Sequence, residues 1–198
     1  MNTNAVLPLQ PTFSSLSSAE TAVLNYQDLI VLFNATFTDT ENTVLLKGGH
    51  EPIYIPANNA DQHHQIIFTH DYFSSALHEI SHWCIAGKKR RLLEDYGYWY
   101  SPDGRDVKQQ SEFEKVEVKP QAIEWAFSCA TGKLFAVSTD NLHAAPVNIQ
   151  GFQDAVQQQV LLYLEFGFPP RAAEFMKVLQ AFYQTESLHR GMFDVGAV

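Results

Sequence analysis

Leu24, Leu29, Ile30, Leu32 and Phe33 recur at helical spacing behind Ser18 and Glu20, so the chain predicts a first helix starting near Ser18 and ending near Phe37. Apolar and β-branched residues then predict a strand over Thr43–Lys47, closed by a Gly48-Gly49 turn. Ile53, Tyr54 and Ile55 stand between Pro52 and Pro56 and read as a short edge strand, because proline cannot donate to a ladder. A polar loop over 58–64 leads into an apolar strand at 65–69. The next run, from about residue 72 to 86, holds no Pro or Gly and predicts a helix ended by Gly87.

The second half predicts an aromatic strand at 96–100 running into the Pro102-Asp103-Gly104 turn. Within residues 113–127, Pro120 is expected in the first turn of a helix running through Phe127 or beyond, and 135–139 reads as a short strand. Ile149–Phe166 and 171–183 read as an amphipathic pair separated by Gly167-Phe168-Pro169-Pro170. Together these elements give an α+β class: a single domain over residues 20–198, with a small mixed sheet packed against helices. Residues 1–19, rich in Ser, Thr, Asn and Pro, read as a flexible N-terminal tail.

Composition fits one packed domain: 198 residues, 45% hydrophobic and 13% aromatic, are enough for a real core. A formal charge of -9 and a pI near 5.2 argue against a general nucleic-acid binder, so no direct nucleic-acid partner is expected. The same balance suits a cationic substrate. Residues 1–19 hold no charged n-region with an apolar core, and no run approaches a membrane span, so the expected location is cytoplasmic, with no membrane partner. Cys84 and Cys129 are then expected as reduced thiols.

The candidate chemistry centres on His78-Glu79-Ile80-Ser81-His82. Positions i and i+4 of a helix share a face, so the two imidazoles can bind one metal ion, with Glu79 beside them as the candidate catalytic residue, base or supporting partner. The bland alternative is a pair of core histidines satisfied by carbonyls. If residues 113–127 are helical throughout, Glu117, Gln121 and Glu124 share a face, and carboxylates among Val, Ile, Trp and Phe are awkward unless paired or bound to metal. A third ligand is easiest to find there; a solvated face is the alternative. Lys88-Lys89-Arg90-Arg91 either complements the dipole of the preceding helix or docks an acidic macromolecule. Asp103, Arg105 and Asp106 form a polar tip that could rim a site.

Several separated motifs carry a family resemblance. Ala76-Leu77-His78-Glu79-Ile80-Ser81-His82-Trp83-Cys84-Ile85-Ala86-Gly87, Gly97-Tyr98-Trp99-Tyr100, Pro102-Asp103-Gly104-Arg105-Asp106 and Val116-Glu117-Val118-Lys119-Pro120-Gln121-Ala122 resemble the bacterial elongation factor P hydroxylases, as do Glu51-Pro52-Ile53-Tyr54 and Asp140-Asn141-Leu142. The similarity covers about residues 22–190. It implies hydroxylation of the β-lysylated lysine of elongation factor P, a tRNA-shaped translation factor. It also implies a fold similar to a metal-dependent endoribonuclease family of rRNA maturation, and a two-His-one-carboxylate site for Fe(II) with O2 as co-substrate. Carried over, the ligands are His78, His82 and a carboxylate in the Val116 to Gln121 motif, with Glu117 chosen and Glu124 or Glu114 as alternatives. In that setting Glu79 becomes a supporting residue.

Such a facial triad leaves open positions for dioxygen and substrate. Asp103 and Asp106 are the candidate substrate-binding residues for the cationic amines of β-lysyl-lysine. Two other readings compete. One is a zinc metallohydrolase, peptidase or nuclease, in which Glu79 activates water. The other is a non-enzymatic partner of the translation machinery that docks through Lys88 to Arg91.

Overall fold

The computed structural model describes residues 24–95, 105–139 and 149–194. The expected tail, the aromatic strand at 96–100, Asp103 and the Asp140-Asn141-Leu142 segment lie outside those residues. The first helix, α1, spans Tyr26–Glu41. Its start lies at Asn25 rather than Ser18, because the Asn25 side chain accepts from the Gln27 N–H at 3.0 Å and satisfies an otherwise orphaned donor. It also runs past Phe37. The Thr36 and Thr40 hydroxyls donate back to the carbonyls of Leu32 and Thr36, keeping the polar last turn helical until Asn42 ends it in the left-handed region at φ 48°.

Three strands follow: β1 Thr43–Lys47, β2 Ile53–Ile55 and β3 His64–Phe68, in the order β1-β3-β2. β3 is central, parallel to β1 and antiparallel to β2, with Leu45 opposite Ile66 and Ile53 opposite Ile67. The strand between prolines is thus an edge, as its missing donors require. At the other edge, Asn34 of α1 binds both Leu45 backbone groups, donating to its carbonyl at 3.3 Å and accepting its N–H at 2.7 Å. Gly48 continues the β1–β3 ladder through its N–H to the Phe68 carbonyl at 2.9 Å. A Cβ there would stand 2.2 Å from Ile67 Cγ2, so the position needs a residue without a side chain.

Among the described residues four further α-helices follow: α2 Phe73–Ile85, α3 Val107–Ala130, α4 Ile149–Phe166 and α5 Pro170–Tyr183. α3 is central and packs on α2, α4 and α5. The core between α1, α2 and α5 is aromatic: Phe33 and Phe37 both meet Trp83 edge-on, with centroids 5.1 and 4.9 Å away, and Phe33 meets Phe175 at 5.6 Å. The amphipathic pair is as expected, with Val156, Val160, Phe175 and Leu179 buried.

Three local expectations are corrected. Pro120 lies in the middle of α3, not in its first turn. The helix begins much earlier because Asp106 and Gln109 form a reciprocal capping box, and Pro120 is accommodated in the buried interior. Residues 135–139 form no strand; among the described residues no strand pairs with them, and the Ser138 and Thr139 carbonyls accept from Gln121 and Arg105 instead. Helix α2 ends at Ile85 with Ala86 in extended geometry, so Gly87 does not serve as a left-handed cap.

Candidate metal centre

The sequence of α2 has two faces. Ala76, Leu77, Ile80, Ser81, Trp83 and Cys84 are buried in the core. His78, Glu79 and His82 therefore look the other way, toward α3. Both ends of the helix are tied. At the start, Ser75 Oγ accepts the Thr69 N–H at 3.0 Å and joins the helix to the end of β3. At the end, Arg171 of α5 donates through Nη2 to the carbonyls of Trp83, Cys84 and Ala86 at 2.7, 3.1 and 2.6 Å. Its guanidinium also lies 4.3 Å from the Trp83 ring centroid. A cation on the final carbonyls complements the helix dipole, one of the two roles open to Lys88 to Arg91 from the sequence. Arg91 pairs instead with Glu41 at 2.7 Å, and Arg90 Nε donates to Asp95 at 2.8 Å.

Glu117 reaches this face from α3. Its Oε1 is 3.2 Å from His82 Nε2 and its Oε2 3.6 Å from His78 Nε2, while the two Nε2 atoms are 3.1 Å apart. One ligand atom from each of His78, His82 and Glu117 thus lies within 4.8 Å of the others. Glu124, two turns along α3, meets the opposite edge of the same imidazole, with Oε2 2.8 Å from His78 Nδ1. That contact assigns the proton of neutral His78 to Nδ1 and leaves Nε2 free as a donor atom. Gln121, between them, is occupied by Ser138, donating to its carbonyl at 2.7 Å and accepting its N–H at 3.0 Å.

The electrostatics ask for a cation. Burial alone would disfavour imidazolium at His78, yet the hydrogen bond and charge of Glu124, with the charges of Glu117 and Glu79, raise its pKa well above the ordinary value. Burial pushes Glu117 up, but the charge and hydrogen bond of His82 and the charge of His78 outweigh it and hold the carboxyl down to about 2. Glu117 is only 3% exposed, and its buried Oε2 has no hydrogen-bond partner. A buried carboxylate oxygen without a donor, facing two imidazole nitrogens aimed at one another, fits a divalent metal ion. Nitrogen and carboxylate donors with no thiolate suit Fe(II) or Zn(II) alike.

A cavity of about 330 Å³ opens against this cluster. Glu79, His82 and Glu117 line it, with Tyr54, Trp83 and Val116 among the other walls. Burial raises the Glu79 carboxyl above its ordinary range. Pro120 has no N–H, so the Val116 carbonyl lacks its usual donor one turn further along α3, beside the cavity.

The other predicted residues that the structure describes lie elsewhere. Asp106 is exposed and caps α3, accepting the Gln109 N–H at 2.8 Å; about 16 Å of helix separates it from Glu117. Arg105 is not on a rim. It is 3% exposed, donates to Gln110 and the Thr139 carbonyl, and lies over the Phe113 ring at 3.8 Å. Glu114 accepts from Gln110 Nε2 at 3.2 Å and is not in the cluster. Sequence reasoning missed Arg171 altogether, since no local signal links it to α2. It weighed Glu124 only as a ligand, not as the partner of Nδ1.

The model of the elongation factor P hydroxylase family matches residues 32–193. The chain belongs to this family. A relative from Haemophilus influenzae, the elongation factor P lysine hydroxylase, is 50% identical over 173 residues, covering 87% of this chain and 97% of its own. The match takes in α2, α3 and all three cluster residues, so family membership and metal-site geometry refer to the same part of the fold.

Proposed function

We propose that this chain is an iron-dependent protein-lysine hydroxylase acting on the β-lysylated lysine of elongation factor P in the cytoplasm. The observation that carries the reading is the convergence of His78, His82 and Glu117 beside a cavity, within the span that matches the hydroxylase family. Among the described residues no helix is long and apolar enough to cross a membrane.

Fe(II) held by two imidazoles and one carboxylate would supply the activation of dioxygen needed to attack an unreactive C–H bond, which side chains alone cannot do. The chain's residues have separable parts in this. His78, His82 and Glu117 hold the ion, and Glu124 keeps His78 in the tautomer that presents Nε2. Trp83, Tyr54 and Val116 wall the cavity and limit water around the reacting carbon. Glu79, on the cavity lining, is placed to hold a cationic amine or a proton near His82. Asp103 and Asp106 remain proposed contacts for the outer amine of the substrate, beyond the cavity itself.

Insertion of one oxygen atom from dioxygen leaves the other as water, which takes two electrons from a reductant outside the chain. The test is mass spectrometry of β-lysylated elongation factor P after incubation with protein, iron, a reductant and air. A gain of one oxygen atom that is absent with His78→Ala supports the reading; no gain with the wild-type chain overturns it. The position of Glu79 on the cavity would equally serve a zinc hydrolase. Metal analysis after anaerobic purification separates the two: iron for the hydroxylase, zinc for the hydrolase.

A further inference from the structure

We infer that the lip of the cavity formed by Lys88, Lys89, Leu92 and Leu93 is the docking surface for an acidic protein surface around the target lysine. This rests on the function proposed above and names the recognition that the cavity alone does not provide. The lip follows directly from the end of α2: Gly87, Arg90 and Arg91 line the cavity, and Lys88 and Lys89 stand exposed between them. Four consecutive cations thus stand beside the mouth in a chain that has 13 Lys and Arg in total and a net charge of -9.

The four are not equivalent. Arg90 and Arg91 are committed to Asp95 and Glu41, which fix the turn. Lys88 and Lys89 have no ion-pair partner among the described residues, so their charge is available to a partner. Beside them Leu92 and Leu93 are 68% and 61% exposed on the short 3-10 turn Arg90–Leu92 and its cap. Val116, another lining residue of the cavity, is 53% exposed. Large apolar side chains left exposed and rimmed by charge mark a protein contact, with the leucines at its centre and the lysines on its polar rim. A nucleic acid would call for a broad basic stripe, which a chain of net charge -9 with two adjacent free lysines does not offer. The lysines would steer an acidic partner to the mouth, and the leucines would hold it there while its modified lysine enters the cavity.

Binding of full-length β-lysylated elongation factor P, measured calorimetrically across a range of salt, tests this without needing turnover. Charge reversal in Lys88→Glu/Lys89→Glu is expected to weaken binding about tenfold at low salt and to flatten the salt dependence. Leu92→Ser/Leu93→Ser is expected to weaken binding while leaving the salt dependence in place. Unchanged metal content and melting temperature in both variants show that the fold is intact. Wild-type affinity in both variants overturns the docking surface, whatever the outcome of the hydroxylation assay. Equal competition by an unrelated oligonucleotide also overturns it. Tight binding lost in the lysine variant, with no oxygen gained by the substrate, would keep the surface and remove the hydroxylase reading.

Discussion

Glu117 and Glu124 share one face of α3, yet their positions give them different work. Glu117 faces both imidazoles on the side where their Nε2 atoms meet, and Glu124 holds His78 from behind through Nδ1. Replacing Glu117 with Ala removes a ligand and should abolish both metal binding and hydroxylation. Replacing Glu124 with Ala should leave a three-ligand site that binds metal more weakly, by roughly 10- to 100-fold. Metal titration of the two variants separates these outcomes; equal losses would contradict the assignment. Asp106→Asn is informative for a different reason. Asn caps a helix about as well as Asp, so this variant removes charge while keeping the start of α3. Weaker substrate binding would then report the charge.

The acid-base behaviour of the cluster also gives a signed expectation. The folded apoprotein raises the His78 pKa, so below that value a proton occupies the site that a metal needs. Metal affinity should therefore rise with pH, by up to about tenfold per unit for one displaced proton, and level off once His78 is deprotonated. Proton release on metal addition in weakly buffered solution checks it. The thiols should be quiet. Burial pushes Cys129 up to about 11 and Cys84 further, so alkylation of Cys129 should be slow at neutral pH and accelerate steadily toward pH 11.

At the scale of elements, the most legible part of the sequence was α2. Its apolar flanks and the HExxH spacing predict both the helix and the face that carries His78 and His82, because a helix fixes i and i+4 together regardless of context. The edge character of β2 was legible for a similarly local reason, its two prolines. The start of α3 was not. Pro120 mimics a first-turn signal, and only the Asp106–Gln109 box with burial of the following face shows that the helix begins earlier. Choosing between Glu117 and Glu124 was beyond periodicity, which places them on one face, while their depth against α2 is set by how two helices pack. Arg171 was invisible, since its three carbonyl acceptors lie on a helix far upstream in sequence. Arg171→Ala should loosen the last turn of α2 and lower the melting temperature, with metal affinity falling as His82 gains freedom. Arg171→Lys should recover little, because a point charge cannot reproduce the planar fork or the stacking on Trp83.

The molecule as a whole is an acidic α+β domain that sets four consecutive cations beside the cavity of its proposed metal site. In the proposed account that placement links recognition to chemistry: exposed lysines and leucines would meet the partner, the walled cavity would take one side chain, and the buried carboxylate between two imidazoles would hold the ion. Metal should also stabilise the fold, because the cluster joins α2 to α3 and does not exist in the unfolded chain. At about one hundred times its Kd, a metal adds about 2.7 kcal/mol. For a chain of this size that raises the melting temperature by roughly 5–10 °C, a gain a chelator should reverse.

The most direct measurement supplies β-lysylated elongation factor P, iron and a reductant under isotopically labelled dioxygen, and weighs the product. The account predicts one labelled oxygen atom on the modified lysine with the wild-type chain and none with His78→Ala or Glu117→Ala. Unmodified substrate with the wild-type chain, or an oxygen atom that still appears when either ligand is removed, would contradict it.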